Sequence, residues 1–167
     1  QASFSPNCFI QIFLESIVQI RLINPNTTSK ITCQMVDIAR MNAPSNWKIK
    51  GMTASFGSSL IVDEPGLECA SKAVVAMLKE IDNDVVGVII SAFGDPGLET
   101  ARPYTTIPCV GISESSMLAA SQNGRRFSVA TTTPKLKNTI ESRAMRLGLS
   151  DYLASIRLTA SDPVSVM

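Results

Sequence analysis

Four polar clusters in this chain stand at the ends of apolar runs, and their residue types either bind an anion or carbonyl oxygen or can move a proton. Asn24 ends IRLIN and Asn26, Thr27 and Thr28 follow it, and Gly94 and Asp95 follow VVGVIISAF. Glu114 follows IPCVGIS, and Thr131 and Thr132 end RFSVATT, with Thr133 next. Amide and hydroxyl side chains beside a helix start would bind a carboxylate or an imide carbonyl, because the first helical N–H groups lack intrahelical partners. Gly94 would let the backbone approach a ligand closely. Asp95 and Glu114 are the carboxyl groups placed to take and return a proton, with the Ser91 hydroxyl a weaker base because its proton is held more tightly. Each cluster also has a structural alternative. NPNTT fits a turn followed by a helix cap, FGDPG fits a β-turn in which Asp95 caps the next helix, Thr133 can act as a cap alone, and Glu114 fits a solvated loop.

Other chemistries find no support. The chain has no histidine, which removes Ser-His and Cys-His pairs. Cys8, Cys33, Cys69 and Cys109 are widely and irregularly spaced, with no CxxC pair, so neither a metal site nor a disulfide scaffold is expected. Cys33, Cys69 and Cys109 read as buried thiols on helices and a strand. There is no GxGxxG after the first strand and no GxxxxGK[ST], and no lysine lies in a strand-end loop. Nicotinamide, nucleotide and pyridoxal cofactors are therefore not expected, and the cofactor expectation is none. A net charge of +1 with interspersed signs argues against nucleic acid. No apolar run is long enough to span a bilayer, and residues 8–18 lack the flanks of a signal peptide. The expected partner is a small molecule, and the expected location is cytoplasmic.

These clusters need a scaffold that gathers loop ends. With 167 residues, 45% of them hydrophobic, the chain can bury a real core. Short strands are expected at 20–24, 47–55, 85–93, 107–113, 126–132 and 155–160. Residues 31–39, with Ile31, Met35, Ile38 and Ala39 at helical spacing, and 67–81 form amphipathic helices. Further helices are expected at 98–102, at 115–123, closed by Gly124, and from the Thr133-Pro134 cap to Leu147. Alternating β and α elements with short connections imply an α/β fold with a parallel sheet and helices on both faces. Ligands of such sheets bind beyond the carboxyl ends of the strands, where all four clusters fall.

The ordered motifs RLINPNTT (21–28), SAFGDPGLETAR (91–102), IPCVGISESSMLAAS (107–121) and RRFSVATTTP (125–134), with GLSDYLASIR (148–157), resemble the aspartate/glutamate/hydantoin racemase superfamily, in its hydantoin and allantoin racemase branch. The resemblance implies two α/β lobes with the active site between them. It implies cofactor-independent isomerisation at the α-carbon of a small cyclic imide or amino-acid derivative, and an isomerase of racemase type. Better-known members use two cysteines, one per lobe, on opposite faces of that carbon. Here the first cysteine position is Ala92, and no counterpart of the second cysteine motif is visible before Met167. The expected organisation is an extension of uncertain role at 1–19, a first lobe at 20–114 and the start of a second, apparently truncated lobe at 115–167. An open edge left by a missing strand implies a homo-oligomer. The alternatives are a different lyase or isomerase on the same scaffold, using Asp95 or Glu114 as a single base, and a non-catalytic small-molecule binding protein.

Overall fold

The computed structural model of the chain describes residues 17–160. Most of the extension expected at 1–19 therefore lies outside the described residues. Strand β1 (Val18–Asn24) leads through the NPNTT turn into helix α1 (Ser29–Asn42), then β2 (Trp47–Thr53) and α2 (Glu64–Leu78). There follow β3 (Val85–Ile90), α3 (Leu98–Tyr104), β4 (Cys109–Gly111) and α4 (Ile112–Ala120). Strand β5 (Phe127–Thr131), a 3-10 turn at Pro134–Leu136, helix α5 (Lys137–Arg146) and β6 (Leu153–Leu158) complete the order.

Two parallel sheets result: a four-stranded one in the order β2-β1-β3-β4, and a two-stranded one of β5 and β6. In the first, the period-two alternation of strand side chains sends Ile20 and Leu22 to one face with Val36 of α1, and Ile23 to the other. On that second face Ile23, Ile90 and Leu98 are fully buried among Val74 and Met77 of α2 and Ala101 of α3. Complete burial of each such side chain contributes about 2 kcal/mol, so this layer fixes the sheet against α2 and α3. The second sheet packs Phe127, Val129, Leu153 and Ile156 on Met117 of α4 and on Ile140 and Ala144 of α5.

Element boundaries differ from expectation where capping intervenes. Helix α2 begins before Leu67, because Asp63 accepts the Gly66 N–H at 3.0 Å and Pro65 occupies the first turn, where its missing N–H costs nothing. Strand β4 is three residues long and α4 starts at Ile112, earlier than expected, because a carboxylate from elsewhere in the chain caps it. Helix α1 buries Thr32 and Val36 and leaves Ile38 58% exposed. Thr32 is drawn inward by hydrogen bonds to Asn24 Nδ2 (3.0 Å) and Thr53 Oγ1 (2.6 Å). That rotation leaves Cys33 exposed and not buried as expected; Cys69 is half-buried, and Cys109 is buried.

Candidate functional site

The carboxyl ends of β1, β3 and β5 converge on one cavity of about 430 Å³ between the two sheets. Asn26, Gly94, Thr131 and Thr132 all line it, so three separate strand-end clusters meet there, joined by Ser91, Ala92 and Phe93. An apolar wall is supplied by Ile31 and Met35 of α1, Leu60, Ile61 and Leu67 around the start of α2, and Leu136 and Ile140 at α5. No charged side chain among the described residues lines the cavity.

The first turn is organised by Asn24. This residue is fully buried and does not line the cavity. Its Nδ2 donates to Asn26 Oδ1 at 2.9 Å and to the Thr28 carbonyl at 3.2 Å, while its Oδ1 accepts the Asn26 N–H at 3.1 Å. Asn26 Oδ1 also accepts the Thr28 N–H, which leaves Nδ2 of this buried, cavity-lining residue donating to no described residue. Thr27 and Thr28 fasten the turn to the segment after β2. The Thr27 N–H donates to the Ser58 carbonyl at 3.1 Å, and the Thr28 hydroxyl donates to the Ser59 carbonyl at 2.8 Å instead of capping α1.

The second turn runs from Ala92 to Asp95, closed by the Asp95 N–H on the Ala92 carbonyl at 3.0 Å. Gly94 has φ +109°, the positive third position that type II turns require and that glycine adopts without strain. The N–H groups of Phe93 and Gly94 donate to no described residue. Ser91 is buried, and its hydroxyl donates to Met35 Sδ at 3.0 Å. On the third side, the Thr131 and Thr133 hydroxyls lie 2.8 Å apart and the Thr133 N–H donates to Thr131 Oγ1. The Thr132 hydroxyl has no partner among the described residues.

Asp95 and Glu114 stand elsewhere. Asp95 is 1% exposed, yet it does not line the cavity. Its two carboxylate oxygens accept the Ser113 N–H at 2.8 Å and the Glu114 N–H at 2.7 Å, so they cap α4. Gly111 makes room for this: a Cβ there would lie 2.2 Å from the Asp95 carboxyl carbon. Burial pushes the Asp95 carboxyl above its ordinary value, while the two N–H groups and the Arg143 cation pull it back without cancelling the effect. Glu114 receives both Arg102 Nη atoms, at 2.6 and 3.2 Å, and the pair raises the Arg102 pKa. Burial likewise raises the Cys109 thiol.

Arg143 is the residue sequence reasoning passed over. It is 3% exposed on α5, donates to Glu99 at 2.7 Å, to the Gly94 carbonyl at 3.2 Å and to the Asp95 carbonyl at 3.4 Å, and stands 3.8 Å from Asp95 Oδ2. A signal was present. Ile140, Arg143, Ala144 and Leu147 form one helical stripe, and a charge on an apolar stripe needs a buried partner. Among the described residues no group of His, Cys, Asp and Glu is arranged to hold a metal, and no helix is long and apolar enough to cross a membrane.

A two-lobed parallel α/β fold with its loops gathered on one neutral cavity defines the class. The family described as Asp/Glu/Hydantoin racemase matches residues 20–166, and the chain belongs to that family. Within it, the chain is 33% identical over 143 residues to the hydantoin racemase of Pseudomonas sp. (strain NS671), a match spanning 85% of this chain and 57% of the relative. It is 27% identical to the hydantoin racemase of Paenarthrobacter aurescens, over 84% of this chain and 61% of that one. The allantoin racemase structure from Pseudomonas fluorescens superposes with a TM-score of 0.84 at 28% identity, covering 89% of this chain and 63% of that one. The chain thus spans about three fifths of the length of these relatives.

Proposed function

We propose that the protein is a hydantoin/allantoin racemase-like isomerase, and that the cavity binds a neutral cyclic imide and stabilises the enolate formed when the α-proton leaves. The observation that carries this is the set of unpaired donors on one cavity: Asn26 Nδ2, the N–H groups of Phe93 and Gly94, and the Thr132 hydroxyl. Donors already in place favour the oxygen on which negative charge develops, a contribution on the order of 3 kcal/mol per donor in oxyanion-binding sites. The absence of any charged lining side chain among the described residues suits an uncharged ring better than an amino-acid zwitterion, whose two charges would be stripped of water without compensation.

In this proposal Asn26, Gly94, Thr131 and Thr132 contact the ligand, while Asn24, Thr27 and Thr28 hold the first turn in place. Asp95 and Glu114 serve the architecture through α4 and Arg102. Ala92 occupies the family's first cysteine position on the cavity wall and moves no proton, so the proton carriers reach the α-carbon from outside the described lining. The lobes divide near residue 114, and the protein works without a cofactor, in the cytoplasm, as a homo-oligomer. The test is the optical rotation of single-enantiomer benzylhydantoin and of allantoin incubated with the protein. Decay faster than in protein-free buffer supports the proposal, and decay at the spontaneous rate with both compounds rejects it.

A further inference from the structure

The Ala92–Asp95 turn carries two of the donor groups just assigned to the ligand, and something must hold that turn against its own flexibility. Three of its residues and near neighbours, Gly94, Asp95 and Gly97, have positive φ. The two glycines adopt this region freely and so resist no movement of the turn, while Asp95 is held there by its contacts. The Asp95 N–H closes the turn on the Ala92 carbonyl, and Asp95 is held further by its carboxylate on α4 and by the Leu98 N–H on its carbonyl at 3.2 Å. Among the described residues, the Gly94 carbonyl takes its hydrogen bond from α5 of the second lobe. There the Arg143 guanidinium meets the Gly94 and Asp95 carbonyls, with Glu99 Oε1 anchoring its other Nη at 2.7 Å.

We infer that Arg143 is a positioning residue: by binding the Gly94 carbonyl from outside, it holds closed the turn that carries the Phe93 and Gly94 N–H groups on the cavity wall. The Gly94 carbonyl shares its planar peptide with the Asp95 N–H, and that N–H closes the turn on the Ala92 carbonyl, so fixing this plane fixes the two ends between which Phe93 and Gly94 lie. Gly94 belongs to both sides of this arrangement. It lines the cavity, and it also lines the small cleft on the far side that Arg143 borders. The planar, five-donor guanidinium can reach Glu99 and two carbonyls at once. A lysine ammonium carries the same charge as a point and lacks the fork. The arrangement also ties the lobes together, because the donors sit in the first and the residue that orients them sits in the second. The ligand named here rests on the function proposed above; the orientation of the turn does not.

The test uses the full chain, isotope-labelled for amide NMR, as wild type, Arg143→Lys, Glu99→Ala and Arg146→Gln. Glu99 is more than half exposed, so E99A removes the anchor of Arg143 without opening the core. Arg146 is an exposed neighbour in the same cleft and serves as the control. In the ligand-free protein, R143K and E99A should shift or broaden the Phe93 and Gly94 amide resonances, E99A less so, while R146Q leaves them in place. Affinity for benzylhydantoin should fall in the same order, by about tenfold to a hundredfold for R143K. A merely structural arginine would lower Tm without moving these two amides. Should R143K fail to fold, E99A alone decides. Unmoved Phe93 and Gly94 amides in a folded variant that has lost either group overturn the inference. If wild type does not bind benzylhydantoin, the proposed function fails, and the ligand-free spectra still decide the role of Arg143.

Discussion

Asparagine at position 95 tests whether that carboxylate is a staple or a base. The substitution keeps the side-chain volume and suits the left-handed backbone (φ +49°), since asparagine tolerates that region well. It replaces one acceptor oxygen by an NH₂ donor. One of the two N–H groups now satisfied, of Ser113 or Glu114, would then face another donor. Losing a charge-assisted hydrogen bond and leaving a buried N–H unpaired costs about 2–3 kcal/mol. For a domain of this size, that is a fall in Tm of roughly 4–12 °C, read by circular dichroism during heating. Catalytic exchange measured well below Tm should be close to wild type, because the carboxylate does not line the cavity. The pH dependence adds a second readout. Burial raises the folded-state pKa of Asp95 above its ordinary 3.8. The native state therefore holds this proton in a window where the unfolded chain has lost it. The associated stability is complete below the unfolded pKa and is lost as pH rises through the folded one. D95N should lack that decline. An unchanged Tm together with abolished exchange would refute the structural role and make Asp95 the base.

Three further outcomes follow from the same geometry. Gly111→Ala forces a methyl group into the Asp95 carboxyl and should cost about 3 kcal/mol, seen as a lower urea midpoint at unchanged slope. Among the described cysteines, a thiol-reactive probe with mass-spectrometric mapping should label exposed Cys33 first and Cys109 last, since burial both hides the Cys109 thiol and raises its pKa. Ala92→Cys places a thiol on the cavity wall and should raise α-proton exchange of a bound hydantoin by about a hundredfold. No increase, with binding retained, would show that the bound ring does not present its α-carbon to position 92.

Much of the fold was legible because apolar periodicity and turn chemistry act locally. VVGVIISAF reads as a buried strand, and β3 lies within it as an inner strand of the four-stranded sheet. The gathering of Asn26, Gly94, Thr131 and Thr132 was also legible, since parallel strands place their following loops at one rim. What escaped depends on long-range partners. Neither Asn24 nor Thr32 announces that the two will pair in the interior and turn α1 so that Cys33 faces outward. By its local sequence Asp95 fits a cap for the helix next to it or a base, yet its oxygens cap α4, eighteen and nineteen residues further along the chain. Nothing in the local sequence marks Glu114 as the partner of Arg102, because that contact exists only once α3 and the first turn of α4 meet beside β4.

The most direct test of the cavity's role is NMR of single-enantiomer benzylhydantoin in deuterated water, following binding and α-deuteration in the same sample. Saturable binding, with α-deuterium entering faster than in protein-free buffer and slowed when Asn26 is replaced by alanine, is the outcome expected here. Binding unaffected by Asn26→Ala, or binding with deuteration at the spontaneous rate, would contradict it.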